Sequence, residues 1–468
     1  MMTGTRDPTP VTDAPTPNPR LIIGGTASGV GKTTVSVGVM AALAGRGLAV
    51  APFKVGPDYI DPTYHALAAG RPSRNLDSWM VPRPNLLALF GRASSDADIS
   101  IVEGVMGLFD GRNEAGESGS TAELAKLLRA PLVLVLDVGK QARSAAATAR
   151  GFQTYDPAVP LAGFILNRVG SERHAEVVRR EVEAATGLPV LGAIPRSAAV
   201  ELPERHLGLV PTRELERARD VLGRLSDLAN EHLDLERLLQ IARAAGPLPD
   251  GVCAVFPEEP AVGDSPGLAV ARDEAFSFYY EDNLDLLAAF GARLLPFSPL
   301  RDPALPPDAR GLYLGGGFPE LHAARLAGNR PLLAEVRQAG ANGLPIYAEC
   351  GGLMYLAEAL TDFDGRRHAM AGLIPCRVAM TERRTALGYV RLRAQRDTLL
   401  CPAGRELRGH EFHWSRLASG NEHATAYRVL EPAPRAEGFA AGNLLASYVH
   451  LHFGADPDLA RRFVASLS

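Results

Sequence analysis

A short apolar stretch, residues 21–24, runs straight into Gly24-Gly-Thr-Ala-Ser-Gly-Val-Gly-Lys-Thr-Thr34, and a helix-forming segment follows at once. That order of strand, glycine loop and helix restricts the fold more than any other feature of the chain. Glycines let successive backbone N–H groups turn inward around phosphate oxygens, and a helix starting near Lys32 directs its positive end at the same point. Such a loop belongs to a strand in a parallel sheet with crossover helices on its faces, which is a doubly wound α/β fold. Lys32 is placed to bridge the β- and γ-phosphates of ATP, and the Thr33 hydroxyl to hold Mg²⁺. Gly25, Thr26, Ser28, Gly29, Gly31 and Thr34 complete the nucleotide-binding loop. Its spacing is displaced by one residue: Thr26 stands at the usual first glycine, and Gly25 precedes it.

The rest of the first half fits that reading. Strands are expected at 21–24, 49–54, 99–103, 132–137, 161–167 and 190–194, with helices at 32–44, 121–129 and 172–185 among them. A mostly helical stretch, 212–245, closes the half, and 246–266, with five prolines, reads as a linker. A second alternating unit begins at 267, with a helix at 281–290, strands near Leu294 and Leu312, a helix at 331–339 and a strand into Cys350. After Gly372 the pattern turns toward β, and a helix at 457–466 ends it. The expected division is a disordered tail at 1–19, a nucleotide domain at 20–245, a linker at 246–266 and a second α/β domain at 267–468.

Composition narrows the class. A chain of 468 residues, 46% apolar and 22% charged, is long enough for two or three packed domains. The net charge of −4 gives no support to nucleic-acid binding. Four scattered cysteines without a CxxC pair point to a reducing compartment, and the Thr- and Pro-rich start lacks a signal-peptide core. No apolar run reaches the length of a membrane span. A cytoplasmic enzyme is expected, with oligomeric state left open, a homodimer included.

Three further segments follow expected strands. In Phe53-Lys-Val-Gly-Pro-Asp-Tyr-Ile-Asp-Pro62, Lys54 is a candidate to stabilise a transferred phosphoryl group, and Asp58 and Asp61 to bind Mg²⁺ or water; a solvated turn is the plainer reading. In Ile101-Val-Glu-Gly-Val-Met-Gly-Leu-Phe-Asp-Gly111, Glu103 stands where a second metal ligand belongs, and Asp110 either orients a substrate or simply closes a turn. Asn167 ends a strand and serves either as a purine reader or as a cap.

A second chemistry lies in Leu344-Pro-Ile-Tyr-Ala-Glu-Cys-Gly-Gly-Leu-Met-Tyr355. An apolar strand, a cysteine, two glycines and a helix-forming run make a nucleophile elbow, with backbone N–H groups beside the thiol for an oxyanion. Gly315-Gly-Gly-Phe-Pro-Glu320 follows a strand and offers the other oxyanion N–H, best from Gly317. A base must turn the thiol into a thiolate. His410, His413, His450 and His452 are candidates, and alternation puts the last two on one face of a strand, so periodicity does not choose.

Together these motifs resemble the cobyrinic acid a,c-diamide synthase family from about Arg20 to the C-terminus. The marks are Lys54-Val-Gly-Pro-Asp-Tyr-Ile-Asp61, Glu103-Gly-Val-Met-Gly-Leu-Phe-Asp110 and Gly409-His-Glu-Phe-His413. The first half is similar to dethiobiotin-synthetase-like ATPases, sharing the displaced glycine, and the second resembles class I glutamine amidotransferases of the cobyric-acid-synthase type, with a flavodoxin-like fold. The resemblance implies Cys350 as nucleophile, His450 as its base, and Gly317 and Gly351 as oxyanion donors. It implies Mg²⁺ on Thr33 and Glu103, and substrate contacts from Tyr59 and Asp110. It further implies that ammonia from glutamine amidates two acetate side chains of a corrin through acyl phosphates. Two departures matter: Ala348 replaces the first elbow glycine, and His450-Leu-His452 replaces His-Pro-Glu, which removes the usual triad acid. Rival readings are the same reaction on hydrogenobyrinic acid or a nickel tetrapyrrole, a cobyric acid synthase, or a partitioning-type switch ATPase with a degenerate glutaminase.

Overall fold

The structure is a computed structural model and describes residues 18–112, 116–196, 212–249, 254–258, 265–417 and 425–468. The expected tail at 1–19 lies almost wholly outside the described residues, as do Cys253 and much of the expected linker.

The first sheet has seven strands: β1 (Arg20–Gly25), β2 (Val50–Val55), β3 (Arg74–Leu76), β4 (Ile99–Glu103), β5 (Leu132–Asp137), β6 (Leu161–Val169) and β7 (Val190–Pro195). Their order is β3-β2-β4-β1-β5-β6-β7, and every neighbouring pair is parallel. All six residues of β1 are buried, as a strand needs to be when helices cover both faces of its sheet. Helices Lys32–Gly45 and Thr212–His232, with Leu235–Arg243, supply one face, where Leu21, Ile23, Val35, Leu225 and Leu238 share a cluster. On the other face Phe164 packs with Ala149 and Val182 of helices Ser144–Tyr155 and Glu172–Thr186. The carboxyl ends of β1, β2 and β4 therefore meet at one crevice, where ligands of doubly wound sheets bind.

The second half contains β8 (Gly267–Ala271), β9 (Arg293–Phe297), β10 (Ala309–Leu314), β11 (Ile346–Glu349), β12 (Ala357–Thr361), β13 (Arg367–Ala369), β14 (Ile374–Met380), β15 (Ala386–Ala394), β16 (Glu406–His413), β17 (Ser415–Leu417), β18 (Thr425–Glu431), β19 (Arg435–Ala441), β20 (Leu444–Ser447) and β21 (His450–Leu451). Ten of them form one sheet, β21-β16-β15-β18-β19-β20-β11-β10-β8-β9, and β13-β12-β14-β17 form a small one. From β9 to β20 the pairs are parallel, and from β20 to β21 antiparallel. The expected β-rich stretch after Gly372 is thus largely a continuation of the sheet that carries the thiol.

One apolar cluster crosses between the halves, joining Phe53, Trp79 and Phe90 to Tyr280, Leu451 and Phe453. Polar contacts frame it. Arg74 pairs with Asp282 at 2.7 Å and with Asp285 at 2.6 Å, and the Tyr389 hydroxyl donates to Asp77 at 2.7 Å. The segment read as a linker joins in, since Val255 is buried in the same cluster and Arg92 lies over the Phe256 ring. A joint with a continuous core is far stiffer than two domains on a flexible tether.

Candidate functional site

The phosphate loop follows β1 as expected, and two of its glycines answer to geometry. Gly31 has φ of 97°, in the left-handed region, and a Cβ there would lie 2.1 Å from the Asn167 amide nitrogen. Gly25 stays extended, but a Cβ would meet Val30 and Lys32 side chains at 2.6 and 2.8 Å. Asn167 donates to the Val30 carbonyl at 2.8 Å and accepts from the Arg168 N–H at 2.9 Å, so its amide braces the loop. Lys32 donates to the carbonyls of Ala27 (3.0 Å) and Met106 (2.5 Å). Burial, and then the nearby Lys54 ammonium, lower its pKa to about 8.

Beside the loop lies a buried charge cluster. Glu103, at the tip of β4, is fully buried and accepts from Thr33 (2.7 Å), Lys54 (2.9 Å) and His65 (2.6 Å). Lys54 pairs also with Asp61 at 2.6 Å and donates to the Gly104 carbonyl at 3.2 Å. Burial alone would lower the Lys54 pKa; Glu103 and Asp61 outweigh it and hold the ammonium charged. Burial works against the Glu103 carboxylate too, yet Lys54 and His65 keep it well below the usual range. Asp61 is raised, by burial and then by Glu103. Lys54 thus has three partners inside the protein and still lines the cavity beside the phosphate loop. His65 was not singled out in the sequence; a lone His in Thr-Tyr-His-Ala-Leu carries no local signal.

Asp58 accepts from the Ile60 N–H at 2.9 Å, closing its own turn, and still lines the cavity described below. Asp110 accepts from the Gly107 N–H at 3.0 Å, while its neighbours Gly111 and Arg112 reach the cavity wall. It is the turn acid of the plainer reading. Tyr59 also contributes to the packing between the halves. Its ring is 7% exposed and stacks on Phe278 of the second half, with centroids 5.1 Å apart and planes 12° from parallel. It also lies 4.9 Å from Tyr280 and 4.9 Å from the His450 imidazole. Tyr59 therefore packs between the two halves and also lines the cavity.

The thiol stands on the turn the sequence predicts. Cys350 has φ of 45° and ψ of −100°, a strained backbone for a side-chain-bearing residue, between β11 and the helix Gly351–Leu356. Ala348 pairs with Leu314 and Ala446 as ordinary parallel strand, so no glycine is required there. Gly317 has φ of 153°, and a Cβ on it would lie 2.2 Å from the Ala275 carbonyl oxygen. The N–H groups of Gly315 and Gly316 are taken by the Tyr279 hydroxyl and the Phe278 carbonyl. That of Gly317 has no hydrogen bond among the described residues and lies 3.1 Å from the Cβ position of Gly351. Burial, then the Glu320 carboxyl, push the Cys350 thiol up, and the Gly351 N–H opposes them. Cys350 Sγ is 3.8 Å from the Phe412 carbonyl oxygen.

The four histidines separate cleanly. His450 pairs with His410 across β21 and β16, and its Cε1 is 2.5 Å from where a Gly316 Cβ would be, which puts it over the oxyanion loop. His452 lies just beyond β21, which ends at Leu451. It caps the short helix Phe453–Ala455 and lies 3.5 Å from Asp282. His413 stacks on Tyr448 at 3.9 Å and is lowered to about 4 by burial. His410 reaches the cavity and is lowered to about 3 by burial and then His450.

A cavity of about 2060 Å³ is lined by both halves, with Cys350, Gly317 and His450 outside its lining. Thr26, Ser28, Gly29, Gly31, Lys32, Thr33, Thr34 and Asn167 line one end, with Lys54, Asp58, Tyr59 and Glu103 beside them. Its far wall comes from the second half, through Phe278, Leu387, Tyr389, His410 and Phe412. Among the described residues no cluster of three or more His, Cys, Asp or Glu could hold a metal. No helix among them is long and apolar enough to cross a membrane.

Residues 21–210 match the CobQ/CobB/MinD/ParA nucleotide binding domain, and residues 267–458 the CobB/CobQ-like glutamine amidotransferase domain. The chain is 48% identical over 453 residues to a cobyrinate a,c-diamide synthase of Dehalococcoides mccartyi (strain CBDB1), covering 95% of this chain and 97% of that one. It is 43% identical to the Priestia megaterium protein of the same name, with 96% of each chain covered. To a hydrogenobyrinate a,c-diamide synthase of Streptomyces coelicolor it is 44% identical, covering 95% and 97%.

Proposed function

The chain belongs to the cobyrinate a,c-diamide synthase family, and from that premise we infer an enzyme that converts the a and c carboxylates of cobyrinate to amides, with ATP and glutamine, in cobalamin biosynthesis. The observation that carries this reading is a cavity lined by both halves. It runs from the phosphate loop to Phe412, whose carbonyl touches the Cys350 thiol.

The residues divide the work as follows. Cys350 attacks the glutamine carboxamide carbon, and Gly317 and Gly351 N–H groups receive the oxyanion. His450 takes the thiol proton and delivers it to the departing ammonia; water then cleaves the glutamyl thioester. At the other end a substrate carboxylate oxygen attacks the γ-phosphorus of ATP, and ADP leaves. Ammonia adds to the acyl phosphate, and phosphate leaves to give the amide. Lys32 spans the phosphates, while Lys54 and His65 hold Glu103 in place. The fold implies Mg²⁺, and the donor set fits it: a hydroxyl on Thr33 and carboxylates on Glu103 and Asp58 are hard oxygens beside a phosphate loop. Few protein ligands suit an ion that takes the rest from phosphate and water. When bound, Mg²⁺ neutralises charge that builds on the β- and γ-phosphate oxygens. Tyr59, packed between the sites, serves as the contact through which one half senses the other. A reducing cytoplasm keeps the thiol usable.

Cobyrinate and hydrogenobyrinate each name a relative, so the assay should offer both. With ATP, Mg²⁺ and glutamine, mass spectrometry should show two successive carboxylate-to-amide conversions on one of them, each matched by one ADP. ADP release without amide on either corrinoid would overturn the reading in favour of a switch ATPase.

A further inference from the structure

His450 is 1% exposed, and its Nδ1 has no hydrogen-bond partner. A base that must accept a proton on Nε2 needs Nδ1 protonated, and a neighbouring acceptor normally fixes that tautomer. The position where an acid is usual holds His452, which is turned away: its Nδ1 accepts from the Gly454 N–H at 3.1 Å, and its Nε2 faces Asp282. The acid beside the imidazole is Glu349, the residue directly before the nucleophile.

Glu349 is also 1% exposed, and its Oε2 lies 3.6 Å from His450 Nδ1. Three neutral donors hold its carboxylate. The Tyr347 hydroxyl and the Leu451 N–H reach Oε1 at 2.6 and 3.0 Å, and the Tyr313 hydroxyl reaches Oε2 at 3.0 Å. No Lys or Arg pairs with it among the described residues. A buried carboxylate without a cation is costly, and the group it faces is one that becomes cationic during the reaction. Leu451 immediately follows His450, so its N–H ties the carboxylate to the same two-residue strand as the imidazole. The alternation of β11 explains the arrangement: Tyr347 and Glu349 project to one face, and the thiol leaves on the turn that follows.

We propose that Glu349 is the positioning residue for His450, taking the part of the acid missing from the His450-Leu-His452 run. A closure of about 0.8 Å brings Oε2 to ordinary N–H···O distance from Nδ1. Glu349 fixes the tautomer and stabilises the imidazolium; it neither touches glutamine nor gains the proton. The residues supplying acid and nucleophile are then consecutive in the chain. The inference rests on His450 being the base for Cys350, and the test separates the two claims.

Steady-state kinetics of Glu349→Gln should show kcat with glutamine lowered by ~10²- to 10⁴-fold, in the range of wrong-tautomer variants. KM for glutamine and the rate with free ammonia should stay within about twofold. In a His450→Ala background, Glu349→Gln should cause no further loss, because a residue acting through another is silent once that other is gone. If His450→Ala itself leaves glutamine use intact, the assignment of the base fails. If His450→Ala silences glutamine use and a folded Glu349→Gln does not, only the present proposal fails. A Glu349→Gln protein that does not fold leaves the wild-type measurement. Long-range ¹H–¹⁵N correlation of labelled histidine, assigned with His450→Ala, should find His450 as the Nδ1–H tautomer. The Nε2–H tautomer would overturn the proposal.

Discussion

The phosphate end and the thiol end of the protein are built on opposite plans. At the phosphate end each buried charge has its partner inside the protein: Glu103 alone is met by Thr33, Lys54 and His65. At the thiol end the working groups lack partners, since the Nδ1 atoms of His450 and His410 are buried without hydrogen bonds and burial disfavours the Cys350 thiolate. The first end is tied together by its own side chains. The second holds its parts at contact distance without completing them, and its base touches Tyr59, which comes from the first half. If a rearrangement at the synthetase site completes the glutaminase, glutamine use will depend on that contact.

The sharpest way to break this comparison is to remove the thiol. Cys350→Ala should cut glutamine-dependent amidation by ~10³-fold or more, as loss of a nucleophile does, and leave amidation with free ammonia within about twofold. Loss of both activities in a folded variant would mean that the ends are not separable. Lys54→Ala should show how fully the phosphate end depends on pairing. It should lower stability by ~3–5 kcal/mol, the effect of leaving a buried carboxylate unpaired, and both activities should fall together; denaturant unfolding measures the first. His65→Phe removes one of the groups that hold Glu103 and should weaken metal-nucleotide binding by ~10- to 100-fold, with glutamine binding unchanged.

Tyr59→Ala probes the contact between the ends. The ratio of glutamine hydrolysed to amide formed should rise about fivefold, equivalent to ~1 kcal/mol of lost coupling, while Tyr59→Phe keeps the ratio near that of the parent. An unchanged ratio in Tyr59→Ala would show that the ring is only packing. The smallest effect is a proton. Lys32 titrates near 8 without a ligand, and phosphates raise that value by stabilising the ammonium. Nucleotide binding at about pH 9 should therefore take up a proton, and at about pH 6, where the amine is charged in both states, take up none. Calorimetry in buffers of different ionisation heat measures the difference.

The same contrast governs how much could be read from the chain. The phosphate loop, the β1–β4 neighbourhood and the elbow are legible because their chemistry is local: a strand, a few glycines and the first turn of a helix fix it. Glu103 is legible because it ends a strand next to that loop. His65, by contrast, reaches Glu103 from a helix that the sequence does not distinguish from any other, and Glu349 hides behind the nucleophile, where alternation sends it to the opposite face. The resemblance implies Tyr59 as a substrate contact, and its packing beside His450 is visible only once the halves come together. Asp110 and Asn167 each allowed a bland reading, and hydrogen bonds to Gly107 and Val30 favour it. The three-residue strand β3 and the continuity of the ten-stranded sheet depend on distant pairings that no window of sequence contains.

The left-handed backbone at Cys350 has a consequence for how such a protein ages under selection. A side chain at φ of 45° costs on the order of 1 kcal/mol or more relative to glycine. Glycine is therefore the residue that thermal stability alone would choose at position 350. A lineage that stopped needing glutamine, because free ammonia was abundant, would feel a steady pull toward Cys350→Gly, gaining a tougher fold as it lost its nitrogen source. Denaturant unfolding of Cys350→Gly would measure directly how much stability the turn gives up to carry a thiol.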